Sequence, residues 1–330
     1  MPNTPPNNRL PQRLRAALAE ALGSNILKSL RDESVVEVMV NPDNSIWIDH
    51  RNNGRVRIGE MQTTDTEAVI RFVAAHTKRC VNQREASISA MLPELFAEGN
   101  IGGLRFQGML PPVVSTPSFA IRKLSSVVWS LDNYDAQGIA TSEQVKAIRE
   151  AIEKQQNILV AGGTGSGKTT LLNACLAESA FCDRRVIILE DTEELQFSGK
   201  DSVRLLAKPP ITLCELIKKT LRMRPDRIIV GEVRGPEAHD MLKAWNTGHP
   251  GGICSLHADG ACDALHRLQD LANEQTEVSP QKIIRTIDLV VFICRNDSHP
   301  ARRVIQAVAR PFLNDSGDFE VEEITPPMSG

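Results

Sequence analysis

Apolar residues at positions 14, 17, 18, 21, 22, 26 and 30 recur at helical spacing and predict a helix over Arg13–Leu30. The period then changes. "VVEVMV", "SIWIDH" and "RVRIGE" are short strand-like runs separated by the turn sequences "NPDN" and "RNNG". "TDTEAVIRFVAAHT" returns to helical spacing, with Thr64 and Glu67 placed as a capping box. "LRFQGML" and "FAIRKL" read as strands again. Residues 13–130 are therefore expected to form an α+β domain built on an antiparallel sheet. The Pro/Asn-rich residues 1–12 read as a flexible tail, and Ser125–Gly138 carries the polar and turn residues of a linker, set at 131–140.

Beyond Thr141 the pattern alternates. The helix "SEQVKAIREAIEK" leads to a strand "NILVAG", a glycine loop and the helix "TTLLNACLAESA". "RVIILED" and "DRIIVGE" are nearly continuous apolar runs ending in acid, and "GGICSL" and "DLVVFICR" are two further strands. Buried strands alternating with helices predict an α/β domain over 141–312 with a parallel sheet covered on both faces. Residues 313–330 are acidic and Pro/Gly-rich and read as a loose tail.

Composition narrows the function classes. The 330 residues suffice for two ordinary domains, and a net charge of −3 makes no case for sequence-independent nucleic-acid binding. No apolar run is long enough to span a bilayer, and "MPNTPPNNRLPQ" is not a signal peptide. Seven cysteines without a CxxC pair read as reduced thiols, and no zinc-ligand spacing occurs.

The chemistry centres on "GGTGSGKT": Gly162, Gly163, Thr164, Gly165, Ser166, Gly167, Lys168 and Thr169 satisfy G-x-x-x-x-G-K-[ST] between a predicted strand and a predicted helix. Such a loop wraps backbone N–H groups around phosphate, with the positive end of the helix dipole behind them. Lys168 is expected on the β- and γ-phosphates, and Thr169 on a magnesium ion. Acid comes from Glu232, ending "IIVGE", and from Glu190, Asp191, Glu193 and Glu194 in "LEDTEEL". One such cluster would read as a solvated loop, whereas two at the ends of buried strands point to a site. Spacing does not say which acid activates water and which, Glu232 included, holds the metal beside Thr169. His257 ends the strand "GGICSL" and is expected at the same rim, where imidazole can sense a γ-phosphate or assist water. His249 reads more simply as a turn residue, with Gly248, Gly251 and Gly252 allowing close backbone approach. Arg222, Arg224, Arg227 and Arg234 are further candidates for phosphate charge. Arg105 and Arg122, on first-domain strands, are better placed to reach a ligand held between domains.

Taken in order, "GGTGSGKTT", "LEDTEEL", "LRMRPDRIIVGEVRG" and "NTGHPGGICSLHA" resemble the Walker A, acidic, Walker B and histidine boxes of the secretion-type traffic ATPases, most nearly their conjugal-transfer branch. The resemblance runs from about Val35 to Arg310. It implies a RecA-like P-loop NTPase domain behind the smaller N-terminal domain, a homohexameric ring, and ATP with Mg²⁺ as ligands. It further implies a cytoplasmic location, peripheral at the inner membrane, among inner-membrane and coupling components of a type IV secretion system. ATP hydrolysis would there drive pilus assembly or substrate transfer. The family's catalytic glutamates fall on Glu232 and within Glu190–Glu194, its histidine on His257, and its N-terminal arginines on Arg105 and Arg122. The four-cysteine zinc insertion usual in type II relatives is absent, and Gly235 stands where many pilus motors carry Asp. Two other readings stay open: a nucleotide-switched scaffold ring of the apparatus, and a type II secretion or pilus motor. Direct DNA contact is also left open, although few aromatics argue against a stacking groove.

Overall fold

A computed structural model describes residues 12–50, 53–92, 103–124 and 128–324. The chain divides into two compact units, Met1–Val127 and Val128–Gly330.

In the first unit the elements run α1 (Gln12–Arg31), β1 (Val35–Val40), β2 (Ser45–His50), β3 (Gly54–Glu60), α2 (Thr63–His76), β4 (Ser87–Leu92), β5 (Leu104–Met109) and β6 (Ser118–Lys123). Among the described residues the strands form one antiparallel six-stranded sheet, ordered β3-β2-β1-β6-β5-β4. Alternation supplies its buried face: Val38, Val40, Ile88, Phe106, Phe119 and Ile121 pack with Leu18, Leu22, Ile26 and Leu30 of α1 and Val69, Ile70 and Val73 of α2. Two details depart from the sequence reading. The helix α1 breaks at Gly23, whose φ of 73° lies in the left-handed region. The Thr64–Glu67 capping box is not formed. Gln62 caps α2 without a side-chain bond, two residues before the expected cap, and Glu67 pairs instead with Arg71 one turn on.

The second unit runs α3 (Leu131–Ala136), α4 (Ser142–Glu153), β7 (Ile158–Ala161), α5 (Lys168–Leu176), β8 (Val186–Glu190), β9 (Ser202–Leu206), α6 (Leu213–Thr220), β10 (Arg227–Val230), α7 (Glu237–Asn246), β11 (Ile253–Leu256), α8 (Ala261–Asn273), α9 (Pro280–Thr286), β12 (Leu289–Arg295), β13 (Arg303–Leu313) and β14 (Phe319–Glu323). Its strands are ordered β14-β13-β12-β7-β11-β10-β8-β9 among the described residues. The six from β12 to β9 are parallel, and β13 and β14 add an antiparallel edge. The continuous apolar runs are explained by burial on both faces. Leu159, Ile187, Leu189, Ile228, Val230, Cys254 and Val290 pack on one side beneath α6, α7 and α8. Their neighbours Ile158, Val160, Ile188, Ile229, Ile253, Leu289 and Val291 pack on the other beneath α3, α4 and α5.

Both expected boundary segments belong to this core. Within 131–140, read as a linker, Ser130 and Asn133 form a capping box for α3, and Leu131, Tyr134, Ile139 and Ala140 are buried. The Ile139 carbonyl accepts a hydrogen bond from the Ile305 N–H, tying the segment to β13. The tail read over 313–330 begins as a hairpin. Asn314 accepts from the N–H groups of Ser316 and Asp318, Gly317 turns the chain at φ 86°, and Phe319 is buried edge-on to His266. Residues 1–11 and 325–330, where the rest of the expected tails fall, lie outside the described residues.

Candidate active site

Parallel register brings the C-terminal ends of β7, β8, β10 and β11 to one rim of the sheet, and the loops leaving them carry the residues that matter. Gly162, Gly163, Thr164, Gly165, Ser166 and Gly167 connect β7 to α5. Gly165 (φ 72°) and Gly167 (φ 106°) adopt left-handed backbone, which glycine enters at little cost. Gly167 caps α5, so the N–H groups of its first turn point out of the helix end. The Ser166 hydroxyl in this loop is buried, with no hydrogen-bond partner among the described residues.

Lys168 is only 7% exposed. Its ammonium donates to the carbonyls of Gly162 (2.9 Å) and Gly163 (3.0 Å) and stands 3.3 Å from His257 Nδ1. On the far side of the imidazole, Nε2 lies 2.7 Å from Glu232 Oε1. Partial burial, and then the Lys168 charge, push the His257 pKa down, so the neutral ring is favoured. The neighbours then settle the tautomer: Nδ1 accepts from Lys168 and Nε2–H donates to Glu232. The result is a continuous array from the glycine-loop lysine through neutral imidazole to carboxylate. Arg234 extends it, touching the other Glu232 oxygen and lying 3.8 Å from Asp191. The side chain of His257 is 47% exposed, unlike a core histidine.

The acidic segment after β8 splits into different tasks. Glu190 is turned inward, 3% exposed, and its Oε1 accepts the backbone N–H groups of Glu194 (2.9 Å) and Leu195 (2.7 Å). Burial pushes its carboxyl up to about 7. It packs so closely on Gly231 that a Cβ there would stand 3.0 Å from its Cγ. Glu190, a catalytic candidate by sequence, therefore shapes the loop. Glu194 is the acid that reaches the site, with Oε2 3.5 Å from the Thr169 hydroxyl. Asn173, one turn along α5, fastens the same loop by donating to the Glu194 carbonyl and accepting from the Gln196 N–H. Glu193 pairs with Arg204 of β9.

Among the described residues no cluster of three metal-ligating side chains occurs. Magnesium arriving with a nucleotide needs only one or two protein ligands, and the Thr169 hydroxyl with the Glu194 carboxylate fits that demand. Glu232, the other metal candidate, is committed to His257 and Arg234.

Residues 20–317 match the family described as type II/IV secretion system protein. The chain belongs to that family. It is 43% identical to the conjugal transfer protein TrbB of Rhizobium radiobacter over 90% of each chain. It is also 31% identical to the type IV secretion system protein PtlH of Bordetella pertussis, over 83% of this chain and 89% of that one. In structure it resembles the ATPase DotB of Legionella pneumophila, with a TM-score of 0.59 and 21% identity, covering 92% of this chain and 81% of DotB, a likeness of fold. No helix among the described residues of this secretion-family chain is long and apolar enough to cross a membrane.

Other predicted residues of the family chain lie elsewhere. Arg227 sits at the start of β10, the opposite rim, 2% exposed. It lies over the Phe181 ring at 4.3 Å and donates to the Ile152 carbonyl at 2.8 Å, and burial lowers its pKa to about 10. Its role is structural. Arg222 and Arg224 precede the same strand end and are exposed. His249 also lies there, with Nδ1 3.2 Å from the Pro225 carbonyl. The glycines beside it serve packing: Gly248 (φ 99°) and Gly251 (φ 80°) turn the chain, and a Cβ on Gly252 would fall 2.1 Å from the buried Trp245 ring. Gly252→Ala is accordingly expected to lower unfolding free energy by ~1–3 kcal/mol through overpacking, read by equilibrium urea unfolding; an unchanged midpoint would mean the ring yields freely. In the first unit Arg105 and Arg122 are direct cross-strand partners on β5 and β6. Sequence reading missed Asn173 and Arg204; an amide one helical turn after the phosphate-loop threonine is the only available signal for the first, and β9 was not read as a strand.

Proposed function

We propose that the chain is a magnesium-dependent ATP hydrolase with a RecA-like P-loop domain, assembled as a homohexameric ring that powers a type IV secretion or conjugative-transfer apparatus. The observation that carries this reading is the Lys168–His257–Glu232 array at the mouth of the glycine loop. The loop N–H groups and Lys168 would bind the phosphates, and the unpartnered Ser166 hydroxyl is a further donor there. Thr169 and Glu194 would hold a magnesium ion, which when bound would supply positive charge to the phosphates. Glu232 then orients the attacking water, its carboxylate fixed by His257 and Arg234. Arg105 and Arg122 are proposed to act on phosphate charge in the assembled ring, and membrane association is proposed to be peripheral, through apparatus components.

His257 links the lysine to Glu232, so it should register the γ-phosphate. His257→Ala is expected to weaken ATP binding several-fold more than ADP binding, measured with fluorescent analogues; equal changes would make it a packing residue. The function itself is tested by conjugative transfer from a donor whose copy of this gene is deleted. Wild-type protein should restore transfer and Glu232→Gln should not; full restoration by the variant would refute the powering role.

A further inference from the structure

A second cation stands at the phosphate loop, and it comes from a strand outside every motif. The chain leaves β12 at Arg295, turns, and re-enters the sheet as β13 at Arg303, paired in register with Arg295. The turn is tightly made. Asn296 N–H donates to the Arg302 carbonyl, Arg302 N–H donates to the His299 carbonyl, and His299 Nδ1 accepts from the Ala301 N–H. Arg303 Nε donates to the Ala301 carbonyl at 3.4 Å, which steadies the half-buried side chain. Its guanidinium lies against Gly167: a Cβ on that glycine would fall 2.7 Å from Nη1 and 3.6 Å from Cζ. Gly167 therefore does two things. Its φ of 106° lets the loop enter α5, and its missing side chain leaves the space the arginine fills.

This placement runs against ordinary helix electrostatics. Cations are favoured at helix C-termini, whereas Arg303 is brought to the N-terminal cap of α5, next to Lys168, where the dipole end is positive. Two cations at one positive helix end become favourable when a polyanion sits among them, and a guanidinium fork matches phosphate oxygens in two bonds at once. We propose that Arg303 is a phosphate-contacting residue of the nucleotide site, acting on the diphosphate part common to ADP and ATP. The proposal rests on the nucleotide reading above and deepens it. It also separates Arg303 from His257, whose contact is with the γ-phosphate.

The test uses full-length protein, a fluorescent ADP analogue as probe, and unlabelled ADP, ATP and inorganic pyrophosphate as competitors. Arg303→Ala should raise the dissociation constants of all three by a common factor of about tenfold or more, the scale of one charge-assisted hydrogen bond. Arg303→Lys should recover part of the loss, and the urea midpoint of both variants without nucleotide should match wild type. Wild-type pyrophosphate affinity in Arg303→Ala would overturn the proposal, including the case where ADP alone weakens, which would put the contact on base or ribose. So would equal losses in both variants accompanied by early unfolding, which would make the arginine a packing residue. Failure of the site reading is distinct: there, wild type would not bind ADP, or Lys168→Ala would bind pyrophosphate as wild type does.

Discussion

Replacing Lys168 with alanine is expected to abolish ATP turnover, a loss of ~10³-fold or more, with the fold retained. The lysine is buried, yet its ammonium is held by two carbonyls of its own loop and by His257, not by the hydrophobic core. Deleting it removes a flexible cation from the helix end and breaks the array that runs to Glu232. A single preorganised donor to developing charge is worth about 10²–10³ in rate. Lys168 is also expected to bind the ground-state phosphates, so affinity should fall as well. The core clusters around Leu159 and Val160 do not involve the ammonium, so a urea midpoint near that of wild type is expected. The check is phosphate release by purified variant and wild type, with unfolding followed in parallel. Normal turnover by the variant would place the phosphate site elsewhere.

Glu232→Gln should separate binding from hydrolysis. The substitution keeps an oxygen able to accept from His257 Nε2–H, but turns the other side of the group into a donor facing the Arg234 guanidinium. Shape survives, and charge and the Arg234 contact do not. Loss of a group that orients or deprotonates water costs about 10²–10⁴ in rate. Nucleotide affinity should change little, because Glu232 is not part of the loop that wraps phosphate. The expected signature is ATP bound but not cleaved, recovered intact from the protein after filtration. Parallel losses of affinity and rate would make Glu232 a structural acid.

How much of this was legible in the sequence depends on the range of each interaction. The glycine loop and the rim position of Glu232 follow from local pattern: a glycine loop set between a strand and a helix, and two apolar runs that both end in acid. Burial of the sheet on both faces is likewise visible in "NILVAG" and "RVIILED". Side-chain direction is not. Nothing in "LEDTEEL" says that Glu190 turns inward beneath Gly231 while Glu194 turns out to Thr169, because that is decided by packing against β10 and α5. Polar composition misled at 131–140, where six helical residues bury only Leu131 and Tyr134, and at 313–324, where a hairpin hides a single Phe319. Elements that short repeat their period only once or twice, too few times to outweigh a polar composition. Glycine density in "NTGHPGG" signals close backbone approach without naming what is approached, which at Gly252 is the Trp245 ring. Arg303 had no signal at all, since its proximity to Gly167 arises from a β12–β13 return 136 residues later in the chain.

The central claim is that the assembled full chain hydrolyses ATP at the glycine loop. Its most direct test is steady-state phosphate release from magnesium ATP by purified full-length protein across a concentration series, with assembly followed by sedimentation. Turnover per chain should rise as rings form and then level off, and should be absent from Glu232→Gln at every concentration. Wild-type protein that binds ADP and assembles, yet releases no more phosphate than Glu232→Gln, would contradict the account.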